Sequence, residues 1–168
     1  MNTKEAILSR RSVRKFLDTK IPSEMIEALL EAGYNAPSAC NRKPIDFFVI
    51  TSPEKLEKIN GCGRFTNMPS PLVIVVAGNL NRALPRSFCE YWIQDAAAVC
   101  QNILLMATEL GLGACWNGAY PQKDVTASVS EIIGVDESII PLGVIRIGYP
   151  AEQHRPHSGY DKDVVKFM

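Results

Sequence analysis

The sequence predicts one domain, residues 1–168, in which helices and strands are interspersed, so the fold class is α+β or α/β. Two short apolar runs rich in β-branched residues, 47–50 and 72–76, are typical of buried strands. Segments with helical spacing of apolar residues lie before, between and after them. The composition, 46% hydrophobic and 21% charged, is that of a globular protein.

Punctuation by Pro and Gly sets the boundaries of the elements in the first half of the chain. Pro22 and Ser23 begin a helix in which Met25, Ile26 and Leu29 recur at helical spacing, and Gly33 is predicted to end it. The predicted elements are, in order, helices over 3–9 and 22–33, a strand over 47–50, a helix over 53–59 and a strand over 72–76.

The second half is dominated by a long helix predicted over 85–110 and ended by Gly111. A helix over 122–133, closed by Gly134, and a strand over 139–147 follow it. The long helix is apolar around most of its circumference, so it must be covered on both sides. A second subunit would supply that cover and predicts a homodimer; the alternative is a central core helix of a monomer.

Charge and cysteine content exclude some partners and compartments. Eighteen basic residues balance eighteen acidic ones, which gives no indication of nucleic acid or membrane as a partner. The longest apolar run, 72–77, is too short to cross a bilayer, and no signal peptide is apparent. Five cysteines without paired spacing indicate reduced thiols. We therefore expect a cytoplasmic protein.

Common catalytic motifs are absent from the sequence. Gly111, Gly113 and Gly118 lack the spacing of a dinucleotide fingerprint and follow a helix instead of a strand. The only histidines, His154 and His157, lie in the polar tail, so neither a metal site nor a Ser-His-Asp hydrolase is expected. These absences favour a reaction carried out by a bound cofactor.

One basic segment near the start suits a phosphate. Arg10, Arg11 and Arg14 surround the hydroxyl of Ser12 just after the first helix, and guanidinium groups bind phosphate in bidentate fashion. The alternative is a solvated basic segment that complements the carboxyl end of the helix.

Five motifs, in order along the chain, together resemble the FMN-dependent nitroreductase family. They are Arg10-Arg11-Ser12-Val13-Arg14, the segment 36–44 (APSACNRKP), the helix from Asp95 to Gly113, Trp116-Asn117-Gly118, and the segment 141–150 (PLGVIRIGYP). The resemblance covers nearly the whole chain. It implies a nitroreductase-like α+β fold, with a central, mostly antiparallel sheet flanked by helices, in an intertwined homodimer that holds FMN between its subunits.

The resemblance also implies roles for individual residues. Arg10 and Ser12 would bind the FMN phosphate with Arg11 nearby, and Arg14 would approach the N1/O2 edge of the flavin ring. Pro37, Ser38 and Asn41 of the other subunit would line the ring and ribityl chain. Trp116, Asn117, Gly118 and Ala119 would belong to the cofactor site, and the backbone around Gly118 and Ala119 would present an N–H to flavin N5. Arg155 is the nearest candidate for the tail arginine that the family uses at the phosphate.

The implied activity is the reduction of nitroaromatics, quinones or similar small-molecule acceptors with NAD(P)H in two half-reactions. No side chain would act as a catalytic group, because the flavin N5 carries the chemistry. Two alternatives stay open. One is a different flavin reaction on this scaffold, such as dehalogenation, azoline oxidation or flavin cleavage; the other is a flavin-binding or storage protein without turnover.

Overall fold

The computed structural model describes residues 1–63, 68–152 and 159–168 and contains nine regular helices and strands in those ranges. They are α1 (Thr3–Ser9), α2 (Ser23–Tyr34), β1 (Ile45–Ile50), α3 (Pro53–Asn60), β2 (Leu72–Asn79), α4 (Tyr91–Glu109), β3 (Gly113–Gly118), α5 (Lys123–Ile133) and β4 (Ile139–Gly148). Short 3₁₀ turns occupy Ala39–Asn41, Arg86–Phe88 and Lys162–Val164.

The four strands form one antiparallel sheet in the order β1-β2-β4-β3, so β1 and β3 are its edges. The prediction of a central antiparallel sheet flanked by helices is confirmed. A bulge in the pairing of β2 with β4, between Val76 and Ala77, leaves Leu142 as the extra residue of β4. Such bulges increase the local twist of a sheet and re-aim neighbouring groups.

Alternate side chains of the central strands enter two separate cores. Ile74 and Ile145 pack against α4 and α2 on one face. Val73, Val75 and Val144 pack against α3 and α5 on the other. Because both faces are covered, β2 is apolar from Leu72 to Gly78 instead of alternating with polar residues, and β4 is apolar except for Arg146.

Three predicted features differ from the structure. Strand β3 was not predicted, because its sequence, GACWNG, begins and ends in glycine and has no β-branched residue. Helix α4 begins at Tyr91 instead of residue 85, since residues 86–88 form a separate 3₁₀ turn. Gly33 does not end α2; a Cβ there would lie 3.0 Å from the Phe47 ring and 3.1 Å from Ile103 Cγ1, so Gly33 permits close packing.

The chain itself covers much of α4. Eight of its residues, Trp92, Asp95, Ala96, Val99, Cys100, Ile103, Leu104 and Ala107, are buried against the sheet and α2. Tyr91, Gln94 and Gln101 remain exposed along the outer face. The face available to a second subunit is therefore a mixed polar stripe, and the homodimer remains a prediction.

Among the described residues, no helix combines the length and the apolar character that crossing a membrane requires. The five cysteines are all free thiols, and only Cys40 is fully exposed.

Candidate functional site

The basic segment that follows α1 lies along the outer edge of β3. Ser12 forms an isolated parallel bridge with Ala114, and the N–H of Val13 donates to the Ala114 carbonyl at 3.0 Å. Further along, Phe16 bridges Pro150 and the N–H of Leu17 donates to the Tyr149 carbonyl at 2.9 Å. The segment is thus held by residues about 100 positions later in the chain.

Two paired glycines allow this close approach. Gly113 and Gly148 face each other in the register of β3 and β4. A Cβ on Gly113 would lie 2.7 Å from Val13 Cβ, and a Cβ on Gly148 would lie 2.9 Å from Phe16 Cβ. A larger residue at either position would displace the segment from the sheet. The two glycines therefore allow Val13 and Phe16 to pack directly against the strand backbone.

The three predicted phosphate-binding arginines are not equivalent. The Arg11 guanidinium donates to the carbonyl of Leu8 at 3.0 Å and to that of Arg10, which closes the carboxyl end of α1. Arg10 is half-buried and Arg14 is exposed. Neither forms an ion pair with a carboxylate in the described part of the chain, and Arg14 donates to the Ser12 carbonyl at 3.1 Å. Arg10 and Arg14 are therefore available to an external anion.

A buried thiol lies directly beneath these cations. Burial raises the pKa of Cys115, and the positive charges of Arg14, Arg146 and Arg10 act against that increase, as does a hydrogen bond with the Ser12 side chain. The Cys115 sulfur is therefore within electrostatic range of two surface arginines on one side and of a third, interior arginine on the other.

That interior cation, Arg146 of β4, is completely buried. Its guanidinium donates to the Asn117 side chain at 3.2 Å, to the Asn60 side chain, and to the carbonyls of Met68 at 2.9 Å and Ile59 at 3.3 Å. Burial lowers its pKa to about 10, which still leaves it charged at neutral pH. No role for Arg146 was predicted from the sequence. The one feature that could have drawn attention to it is its charge within the apolar run GVIRIG.

Hydrogen-bond phase along β3 determines which backbone groups face outward. The N–H of Ala119 donates to the Leu142 carbonyl at 2.9 Å, so these two residues form a hydrogen-bonded pair. Such pairs alternate with pairs whose N–H and C=O groups point away from each other. Gly118, opposite Gly143, belongs to the second kind, so its N–H points off the free edge of β3. Ala114 has the same phase, and its carbonyl does accept from Val13 outside the ladder.

Of the four residues of this segment predicted at the cofactor, Gly118 alone is exposed. Ala119 is buried and its N–H is committed to Leu142. The side chain of Asn117 points into the interior to accept from Arg146, and Trp116 faces the opposite core. A Cβ on Gly143 would lie 2.2 Å from Trp116 Nε1, so the indole rests on the β4 backbone there.

The second predicted motif forms a strained loop between α2 and β1. Cys40, Asn41 and Lys43 all have positive φ, at 50°, 52° and 45°. Left-handed backbone at non-glycine residues costs about 1 kcal/mol each and clusters at functional sites. Ser38 Oγ accepts from the Lys43 N–H at 3.0 Å, while Pro37 and Asn41 remain exposed.

Two charged residues for which no role was predicted, Asp95 and Arg82, anchor this loop. The buried carboxylate of Asp95 on α4 accepts from the Ala39 N–H at 2.9 Å. Arg82 donates to the carbonyls of Lys43 at 3.3 Å and Ile45 at 2.7 Å, and forms an ion pair with Asp46 at 2.7 Å. As with Arg146, the signal for Asp95 was a charge within an apolar helical run.

The two motifs lie at opposite edges of the sheet within one chain. The first borders β3 and the second leads into β1, so three strand spacings, roughly 14 Å, separate them across the sheet. They do not converge on a common site in one protomer. Arg155, the predicted tail arginine, lies outside the described residues.

The β3 edge has features that suit a flavin mononucleotide. Arg10 and Arg14 are cations without a carboxylate partner among the described residues, and guanidinium groups bind phosphate and other anions. The outward N–H of Gly118, along the same edge, is a hydrogen-bond donor of the kind that flavin N5 can accept. Fold and site together define an α+β protein with an anion site beside an open strand edge.

Comparison with known proteins gives the family. The sequence model of the Nitroreductase family matches residues 7–61 and 65–149, and the chain belongs to this family. A protein of Methanothermobacter thermautotrophicus named as an NADH dehydrogenase/NAD(P)H nitroreductase is 38% identical over 167 residues, which cover 98% of this chain and 86% of the relative.

Solved structures agree with the fold. A Parabacteroides distasonis protein with the same name superposes with a TM-score of 0.93 at 34% identity, over 99% of this chain and 98% of that one. An FMN-dependent nitroreductase from Clostridium difficile superposes with a TM-score of 0.89 at 27% identity, over 98% of each chain. The resemblance inferred from the five motifs is thereby confirmed.

Proposed function

We propose that the protein is an FMN-dependent oxidoreductase that uses NAD(P)H to reduce small-molecule acceptors such as nitroaromatics or quinones. The observation that carries the proposal is the β3 edge, where Arg10, Arg14 and Ser12 lie on the same strand edge as the outward N–H of Gly118. The names of the M. thermautotrophicus relative and the C. difficile neighbour support the nicotinamide donor and the cofactor, respectively.

The residues would bind and orient, and the cofactor would supply the redox chemistry. When bound, FMN would supply hydride acceptance at N5 from the nicotinamide and electron transfer to the acceptor. Arg10 and Ser12 would hold the phosphate, and Arg14 would place a positive charge at the N1/O2 edge, where negative charge develops on reduction. Gly118 would donate its N–H at N5. Arg11 supports the site by closing α1.

The site is proposed to be shared between two subunits of a homodimer. The second motif lies at the opposite edge of the sheet, about 14 Å from the first in strand spacings alone, which favours a second subunit as the source of that motif at each cofactor. A partner subunit could bring its Pro37, Ser38 and Asn41 to the β3 edge, and the strained loop already exposes Pro37 and Asn41. The free thiol of exposed Cys40 favours action in a reducing compartment, which we propose is the cytoplasm.

The test is an absorbance spectrum of the purified protein, followed by anaerobic addition of NADH or NADPH. We expect flavin bands that bleach with a nicotinamide donor and return when menadione or a nitroaromatic is added. Binding of FMN with bleaching but no reoxidation by any acceptor would support a storage protein instead. A colourless protein that takes up no added FMN would overturn the proposal.

A further inference from the structure

We propose that Arg146 is a positioning residue that uses its uncompensated buried charge to favour reduced over oxidised FMN at the β3 edge. The proposal rests on the proposed function, because it concerns the cofactor that this edge would hold. It adds an interior cation to the surface arginines already assigned there.

The first observation is that this charge has no counterion. Arg146 is fully buried, and its hydrogen-bond partners are two amide side chains and two backbone carbonyls, all neutral. No carboxylate of residues 1–63, 68–152 or 159–168 forms an ion pair with it. The remaining residues, 64–67 and 153–158, include no Asp or Glu. Burying an unpaired ion is costly, and packing alone would be served as well by an apolar residue.

The second observation is that the charge lies just behind the proposed site. Arg146 faces Cys115 in the register of β3 and β4, and its Nε donates to Asn117, the residue before Gly118. The Cys115 sulfur experiences the charges of Arg10, Arg14 and Arg146 together. The interior cation and the surface cations therefore act on the same stretch of β3 from opposite sides.

The third observation concerns the medium between them. Cys115 and Asn117 are buried, so little water screens the charge of Arg146 from the strand edge. Reduction adds negative charge to a bound flavin, so a fixed cation behind the edge stabilises the reduced form more than the oxidised form. Neutralising Arg146 should thus change the ratio of the affinities for reduced and oxidised FMN, and not only the two affinities in common.

The decisive variant is Asn60→Asp, which is nearly isosteric. It keeps the acceptor to which Arg146 Nη1 donates and places a carboxylate there, so the buried charge becomes an ion pair. The matched control is Asn81→Asp, which adds the same charge in an exposed turn beyond β2. Val73 of β2 faces Arg146, and β2 continues for six more residues, roughly 20 Å, before the turn that contains Asn81.

The measurement is the midpoint potential of bound FMN, compared with free FMN, which gives the ratio of the affinities for reduced and oxidised cofactor. We expect Asn60→Asp to lower this ratio about tenfold, a potential about 30 mV more negative for a two-electron couple. Arg146→Gln should lower it similarly, Arg146→Lys should restore most of it, and Asn81→Asp should leave it at the wild-type value.

An Asn60→Asp protein that binds FMN with the wild-type ratio would overturn the inference while leaving the proposed function intact. So would an Arg146→Lys protein as impaired as Arg146→Gln, since that pattern indicates a purely structural role. If Arg146→Gln does not fold, Asn60→Asp still decides. A wild-type protein that takes up no FMN would overturn the proposed function and this inference with it.

Discussion

Arg11 and Arg14, three residues apart in one motif, have different tasks in the structure. The Arg11 guanidinium donates hydrogen bonds at the end of α1, whereas Arg14 is exposed and has no carboxylate partner among the described residues. The motif pattern alone treats them alike. Only the position of each side chain relative to α1 and β3 distinguishes Arg14, the proposed cofactor ligand, from Arg11, which caps the helix.

Arg14→Ala should therefore weaken FMN binding and make the reduced cofactor less stable. A lost charge-assisted hydrogen bond costs about 1.5–3 kcal/mol, which corresponds to roughly 10- to 100-fold in Kd. Fluorescence titration with FMN measures the affinity, and a redox titration measures the potential. Lys15→Ala is the matched control, because Lys15 is an exposed neighbouring cation paired at the surface with Glu152 at 3.3 Å. An unchanged potential in Arg14→Ala would contradict the electrostatic role.

Because of the buried thiols, the free energy of unfolding should depend on pH in the alkaline range. Burial raises the pKa of Cys100 above its ordinary value near 9. Below pH 9 the folded and unfolded forms both keep the proton, but above it only the unfolded form loses the proton. The free energy of unfolding should therefore fall as pH rises above 9, by up to about 1.4 kcal/mol per pH unit for this thiol.

Cys100→Ala should remove that part of the slope. Urea denaturation of both proteins under reducing conditions, from pH 7 to pH 10.5, measures it. Their stability difference should stay constant below pH 8 and then change in favour of the variant as pH rises. Parallel curves over the whole range would contradict the assignment.

At the scale of elements, β3 is held from outside by a segment without regular structure. The segment 12–17 keeps its place through the glycine pair Gly113 and Gly148 and through hydrogen bonds to the β3 and β4 termini. The positions of the proposed cofactor ligands therefore depend on the packing of this segment against Gly113 and Gly148.

Gly113→Ala tests that dependence. The added Cβ would lie 2.7 Å from Val13 and must displace the segment, at a cost of about 1–3 kcal/mol typical of overpacking. We expect a lower Tm and FMN binding weakened well beyond what the Tm change explains. Gly61→Ala is the control, since its Cβ would meet only the Lys58 carbonyl oxygen at 3.4 Å. Unaltered FMN affinity in Gly113→Ala would show that the ligands do not depend on this packing.

Local sequence signals predicted the elements whose boundaries are set locally. Helix α1 has its predicted bounds, with Asn2 as its N-cap, and Gly134 closes α5 in the left-handed conformation at a φ of 74°. Strand β3 has no such local signal. Its glycines permit the approach of Val13 and leave the strand edge open, and both features depend on residues far away in the sequence. For the same reason Asp95 and Arg146 could be noticed only as charges in apolar surroundings, without their partners, and Arg82, exposed in a polar turn, could not be noticed at all.

At the scale of the whole molecule, the proposed homodimer would let each site be completed by the other subunit, because the two motifs lie on opposite edges of one sheet. A protein of this kind is expected to be a dimer in solution, and FMN binding and dimerisation should be linked. The polar stripe of Gln94 and Gln101 on α4 is one surface available for that contact.

Mixed dimers test the shared site directly. Arg14→Ala should damage the first motif, and Pro37→Trp should block the second from its exposed position. Each homodimer then has two defective sites, whereas a dimer of one of each has one intact site and one doubly defective site. Co-expression with two different tags should recover about a quarter of the wild-type FMN sites in a random mixture. No recovery in purified mixed dimers would place both motifs in the same subunit's site.

The attachment of residues 12–17 to Ala114, Gly148 and Pro150 also has a consequence for biosynthesis. Residues 12–17 leave the ribosome before β3 and β4, whose edges hold them. The proposed FMN site therefore cannot form on a nascent chain until β4 has been synthesised. FMN binding would follow the folding of these strands and would not guide earlier steps.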